Sequence, residues 1–209
     1  MEDERLSVRK IVIAGVLSAI AILLGSTRLG FIPVPTPAAN ATIMHVPAIV
    51  GGVLEGWVVG GIVGTIFGLF SFIQAEVPMF KDPLVAILPR IFIGIAAYLG
   101  YRGLRRLTAP WMLIFAVILL ALAGYFVYDV GQTSLWIAIL VAILSLAAVG
   151  VLIYLILKGE TDVAALAVAA ALGALTNTGL VLSMGVLRGY MAPNVAWVVA
   201  VTHGIPEII

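Results

Sequence analysis

Cysteine is absent from the 209 residues, which removes disulfides, thiolate nucleophiles and thiolate metal sites together. Histidine occurs only twice, and few carboxylates lie near either copy, so no metal centre is expected. Charged residues make up 10% of the chain and the net charge is +1, which provides no basic surface for nucleic acid. No phosphate-cradling loop precedes a lysine, and Ser26, Ser71 and Ser183 have no neighbouring histidine with an acidic orienter. Nucleotide hydrolysis, triad-type chemistry and a bound cofactor are therefore not expected, and the chain reads as something other than an enzyme. The start, Met1-Glu2-Asp3-Glu4-Arg5-Leu6, lacks the basic region of a signal peptide, so the first apolar run is expected to stay in the mature chain.

Apolar side chains dominate. They make up 63% of the residues, and the mean hydropathy is +1.23, which is too oily for a water-soluble domain of this length. The runs are helix-length and lack strand-like alternation, so the expected fold is an all-α integral membrane protein rather than a barrel. Spans are expected at about 8–27, 42–54, 56–74, 83–101, 111–128, 135–157 and 163–187, with a last one starting near 194. That last run stops at Ile209, short for a crossing, and leaves open a continuation of the chain. If the spans alternate from a cytoplasmic N-terminus, the inner flanks hold Arg5, Arg9, Lys10, Arg102, Arg105, Arg106 and Lys158, against Arg28, Lys81 and Arg188 outside. Both termini are then cytoplasmic, and the loop with Pro33, Pro35 and Pro37 faces outward as a stiff, extended cover.

The stretch from Asn40 to Gln74 organises the rest. Thr42, His45 and Pro47 lie in lipid-compatible sequence, and Gly56, Gly60, Gly64 and Gly68 follow at a four-residue step. Polar groups inside a membrane are expensive and point to function, whereas a column of small residues marks close helix packing. Counting depth at roughly 1.5 Å per residue, Arg90 lies on the order of 10 Å below the outer end of its span. Asn177, Thr178 and His203 reach roughly 15 Å below theirs. Polar residues of four distant spans thus fall in the outer half of the membrane, as a solute site with apolar walls and a lid requires.

Each residue also has a plainer reading. Arg90 must be paired or bind an anion, and a pair with Glu207 or a reach to the surface would satisfy it as well. His45 can be a satisfied buried histidine, and Thr176, Asn177 and Thr178 can bond backbone across helices. Glu207, beside Pro206, can be protonated, paired or a ligand group. Trp57, Trp111 and Trp136 fall near span ends as interfacial anchors, whereas Trp197 can face a pocket.

Five separated segments then carry a family resemblance. Thr42-Ile-Met-His45-Val-Pro47, the glycine-stepped span ending Phe67-Gly-Leu-Phe-Ser71, Asp82 to Pro89-Arg90, Leu175-Thr-Asn177-Thr178, and Gly204-Ile-Pro206-Glu207 resemble the substrate-binding (S) components of energy-coupling factor (ECF) vitamin importers of bacteria and archaea. The variant is similar to the pantothenate-type members. The resemblance implies a protein of the cytoplasmic membrane that binds one vitamin near its outer face. It also implies association with a transmembrane T component and two cytosolic ATPases, which drive a toppling of the S component to release the vitamin inside. It implies a six-span core at 8–106 and 163–209, here with an inserted apolar helical hairpin at about 109–157. Small residues of the first span would meet the T component, and Ala14, Gly15, Ser18 and Ala19 hold that position. His203 stands where the family's last motif usually has asparagine, which leaves the ligand's identity open.

On this reading Asn40, Thr42, His45, Gln74, Arg90, Asn177, Thr178, Trp197, His203 and Glu207 are the candidate ligand contacts. Arg90 would fix a carboxylate, and residues 33–40 would close the pocket. A solitary carrier coupled to protons at Glu207 or His203 is the alternative. An intramembrane enzyme is a distant third.

Overall fold

The computed structural model describes residues 7–33, 40–132 and 135–208. Pro35 and Pro37 of the expected cover, and the side chains of Asn40, His203 and Glu207, lie outside the described part. The first helix, α1 (Val8–Ser26), is capped by Ser7, whose side chain accepts the Lys10 amide. It ends where Arg28 takes a left-handed backbone, φ 59°, and the Gly30 amide donates back to the Leu24 carbonyl. The chain then pairs Phe31–Pro33 (β1) antiparallel with Asn40–Thr42 (β2), Phe31 opposite Thr42. This ribbon lies in the loop and was not legible as strands, although the proline spacing indicates extended backbone.

Helix α2 (Val46–Glu55) and helix α3 (Trp57–Ile73) are separated by Gly56 alone, at φ 100°. That conformation is open to glycine at no steric cost, and it reverses the chain within one residue. After a 3-10 turn at Pro78–Lys81 come the four-residue α4 (Pro83–Ala86) and α5 (Leu88–Leu104). Then follow α6 (Ala109–Gly131), α7 (Leu135–Leu157), α8 (Thr161–Leu187) and α9 (Pro193–Ile208).

Among the described residues, four helical stretches are long and apolar enough to cross a membrane: Val8–Ser26, Pro83–Leu104, Ala138–Leu157 and Thr161–Leu187. Val46–Glu55, Trp57–Ile73 and Ala109–Tyr125 are shorter apolar helices. At 1.5 Å per residue, α2 reaches only about 15 Å, half of a hydrocarbon layer. Large apolar side chains such as Val8, Ile11, Val16, Ile118 and Ile143 are exposed, as the lipid-facing surface of a multi-pass membrane protein requires.

The chain divides into two compact units, 1–101 with 168–209, and 102–167. In the first, α2, α3 and α5 meet backbone to backbone. A methyl group on Gly52 would lie 2.1 Å from the Gly94 carbonyl oxygen, on Gly64 2.1 Å from that of Arg90, and on Gly68 2.8 Å from the Ile87 Cα. The glycine step is thus a groove that receives the start of α5, and only hydrogen side chains admit so close an approach. Met44, Ala48, Val59, Val63, Phe67, Ile93 and Ala97 fill the core around it. Ion pairs tie the ends: Arg9 to Glu55 at 2.8 Å, and Arg28 to Glu76. In the second unit α6 and α7 pack along one another, and Arg105 pairs with Asp162 at 3.3 Å.

Candidate functional site

Pro89 has no amide hydrogen, so the Val85 carbonyl four residues earlier receives no helical donor from it. The ladder breaks there: the Arg90 amide bonds the Ile87 carbonyl, and α4 is separated from α5. The side chain of Arg90 fills the vacancy, its Nη1 donating to the Val85 carbonyl at 2.6 Å. The guanidinium carbon lies 5.5 Å from the Phe67 ring centre and 5.0 Å from that of Phe80, within cation–π range. Arg90 is 4% exposed, and the Val85 carbonyl and these two rings are among the groups that hold it.

A cavity of about 360 Å³ opens beside this group. Phe67, Phe70, Ser71 and Gln74 line it from α3. Their spacing of i, i+3, i+4 and i+7 puts them on one helix face. Thr42 and Met44 enter from β2 and the turn after it, and the Thr42 hydroxyl accepts the Met44 amide at 3.1 Å. Phe31, Phe80, Ser26, and the pair Arg28 and Glu76 complete the walls. Aromatic walls, a few hydroxyl and amide groups, one deep guanidinium and an ion pair suit a small polar organic molecule with an apolar portion.

Of the sequence-derived contacts, Thr42, Gln74 and Arg90 share this cavity. His45 is 1% exposed and caps α2 next to the lining Met44, with its carbonyl accepting the Ala48 and Ile49 amides. Asn177 and Thr178 are buried on α8, Asn177 3% exposed, and are not among the lining residues. The Thr178 hydroxyl donates to the Ala174 carbonyl at 3.4 Å. Trp197 is 49% exposed on α9 and does not line the cavity. Asn40 lies in β2, against which α9 packs, and His203 and Glu207 lie on α9. On α1, Ala14 and Ser18 are buried in the protein's own core, whereas Gly15 and Ala19 are exposed. Sequence reading missed Phe31, Phe70, Phe80 and the Arg28–Glu76 pair. For Phe70 alone, its helical spacing from Phe67, Ser71 and Gln74 was an available signal.

Outside the cavity, Asp82 caps α4, its Oδ1 accepting the Leu84 amide at 3.0 Å. Its Oδ2 accepts from Arg188 Nε at 2.7 Å and from the Tyr190 hydroxyl at 3.4 Å. The Arg188 bond holds the Asp82 carboxyl below the usual carboxylate range, and the same bond raises the Arg188 guanidinium.

The pantothenic acid transporter PanT of Lactococcus lactis subsp. cremoris (strain MG1363) is 30% identical over an alignment covering 29% of this chain and 41% of that protein. The chain therefore matches less than half the length of this curated relative. A family model described as ECF transporter, substrate-specific component, matches residues 9–141, more than half of the chain. The chain is a member of the ECF transporter substrate-specific component family.

Proposed function

We propose that the chain captures a carboxylate-bearing vitamin of the pantothenate type in the 360 Å³ cavity and delivers it to a T component driven by two cytosolic ATPases. The observation that carries this reading is Arg90, a guanidinium anchored by Val85 and framed by Phe67 and Phe80 where Gln74, Ser71 and Thr42 also face. A fixed, partly desolvated guanidinium suits a carboxylate, the aromatic walls suit an aliphatic body, and the hydroxyl and amide groups suit a polar chain. The partial likeness to a pantothenic acid transporter supports the choice of ligand.

In this reading His45 braces the pocket and residues 33–40 are its cover. Asn40 on β2 and Trp197, His203 and Glu207 on α9 are further candidate contacts in this reading. The chain lies in the cytoplasmic membrane of a bacterium or archaeon with both termini inside and about eight spans, the hairpin at 109–157 added to a six-span core. Gly15 and Ala19, on the open face of α1, are the pair offered to the T component. A native mass spectrometry screen of purified protein against water-soluble vitamins tests the reading. One retained carboxylate ligand at one-to-one stoichiometry supports it, and no retained vitamin sinks it.

A further inference from the structure

Asp82 is 6% exposed, although it stands at the end of an apolar helix next to Lys81. Besides its side-chain bonds to Leu84, Arg188 and Tyr190, its carbonyl accepts the Val85 amide at 3.0 Å and the Ala86 amide at 2.9 Å. Val85 is fully buried, packs with Met79 and Val181, and gives its own carbonyl to Arg90. A continuous chain of bonds therefore runs from Arg188, in the turn after α8, through Asp82 and Val85 to the guanidinium in the cavity.

A four-residue helix has no stability of its own, and Pro89 has cut this one from the α5 ladder. What fixes α4, and with it the carbonyl that aims Arg90, must come from outside. The geometry points to Asp82 and Arg188 as positioning residues: their ion pair clamps α4 so that Val85 holds Arg90 in the binding pose. Neither touches the cavity. The inference rests on the proposed role of Arg90 in ligand capture. It also implies that the turn between α8 and α9 is linked to occupancy of the cavity, because coupling between two sites is reciprocal.

Two variants of the full chain separate this role from a plain structural tie. R188Q removes the cation, and D82N keeps the Leu84 cap while removing the carboxylate charge. The first readout needs no ligand: phenylglyoxal modification of Arg90, followed by peptide mass spectrometry in detergent, with Arg9 as the reference site. Both variants are expected to raise the Arg90 rate about tenfold, the scale of one lost charged hydrogen bond, with the Arg9 rate unchanged. The second readout is calorimetric titration with pantothenate. R188Q should weaken binding about tenfold in the wild-type background and add almost nothing to R90K, because both act through one group. An unchanged Arg90 rate in both variants, or full additivity with R90K, overturns the positioning role. If the wild type fails to bind pantothenate, the ligand assignment falls, and the Arg90 modification rate still decides the clamp.

Discussion

At the scale of single residues, Pro89 and Arg90 act as one device, since the imino acid vacates a carbonyl and its neighbour occupies it. Replacing Pro89 by alanine supplies an amide that competes for Val85. P89A is expected to stabilise the fold slightly and to weaken ligand binding by about 1 kcal/mol, the net worth of one hydrogen bond, as read by calorimetry. The buried depth of Arg90 was legible from its place in an apolar run. Its partner was not, because a carbonyl freed by a proline carries no side-chain signature. Asp82 was legible only as part of a motif, since Arg188 lies 106 positions away. Its carboxyl titrates below its ordinary value of 3.8 when folded, chiefly through the Arg188 bond. A depressed carboxyl stabilises fully above its unfolded pKa and loses that contribution as pH falls through the folded one. The melting-point gap between wild type and D82N should therefore hold steady from about pH 7 to 5 and close below about pH 4. A gap that widens on acidification would contradict the assignment.

Among elements, the contact of α3 with α5 matters most, because it sets how far Arg90 projects. Gly64→Ala would put a methyl 2.1 Å from the Arg90 carbonyl oxygen, whereas Gly61, on the same helix, meets only Ile95 at 3.8 Å. G64A is expected to cost about 3 kcal/mol or more through overpacking, and G61A to be neutral, by thermal unfolding in detergent. The glycine column was legible in the sequence as a packing groove. Its occupant was not, and Gly56 proved to be the pivot between α2 and α3. On α1 the four small residues divide: Ala14 and Ser18 serve the internal core, and Gly15 and Ala19 remain open. Gly15→Leu should leave folding and ligand binding intact and abolish co-purification with the T component. If it binds the T component like wild type, the assignment of that face fails.

For the whole molecule, the helical membrane architecture followed from hydropathy, and the family was legible from motifs of which those at 42–47, 56–71 and 82–90 fall on segments that line the cavity. The convergence of polar residues was legible only in part. Depth along a span fixes height in the membrane, but not which face of a helix a residue takes, so Thr42, Gln74 and Arg90 share the cavity wall while Asn177 and Thr178 lie elsewhere on α8. The aromatic walls escaped notice because phenylalanine in an apolar run carries no contrast. Every lining residue belongs to the unit of residues 1–101 and 168–209. Excising 109–157 is therefore expected to leave the ligand affinity within about twofold, the scatter of distant, independent sites. Whether Arg90 grips a carboxylate in this cavity is decided by calorimetric titration of wild type and Arg90→Ala with pantothenate. The prediction is saturable one-to-one binding by the wild type and a loss of at least about 2 kcal/mol in the variant. Equal affinity of the two proteins would contradict it.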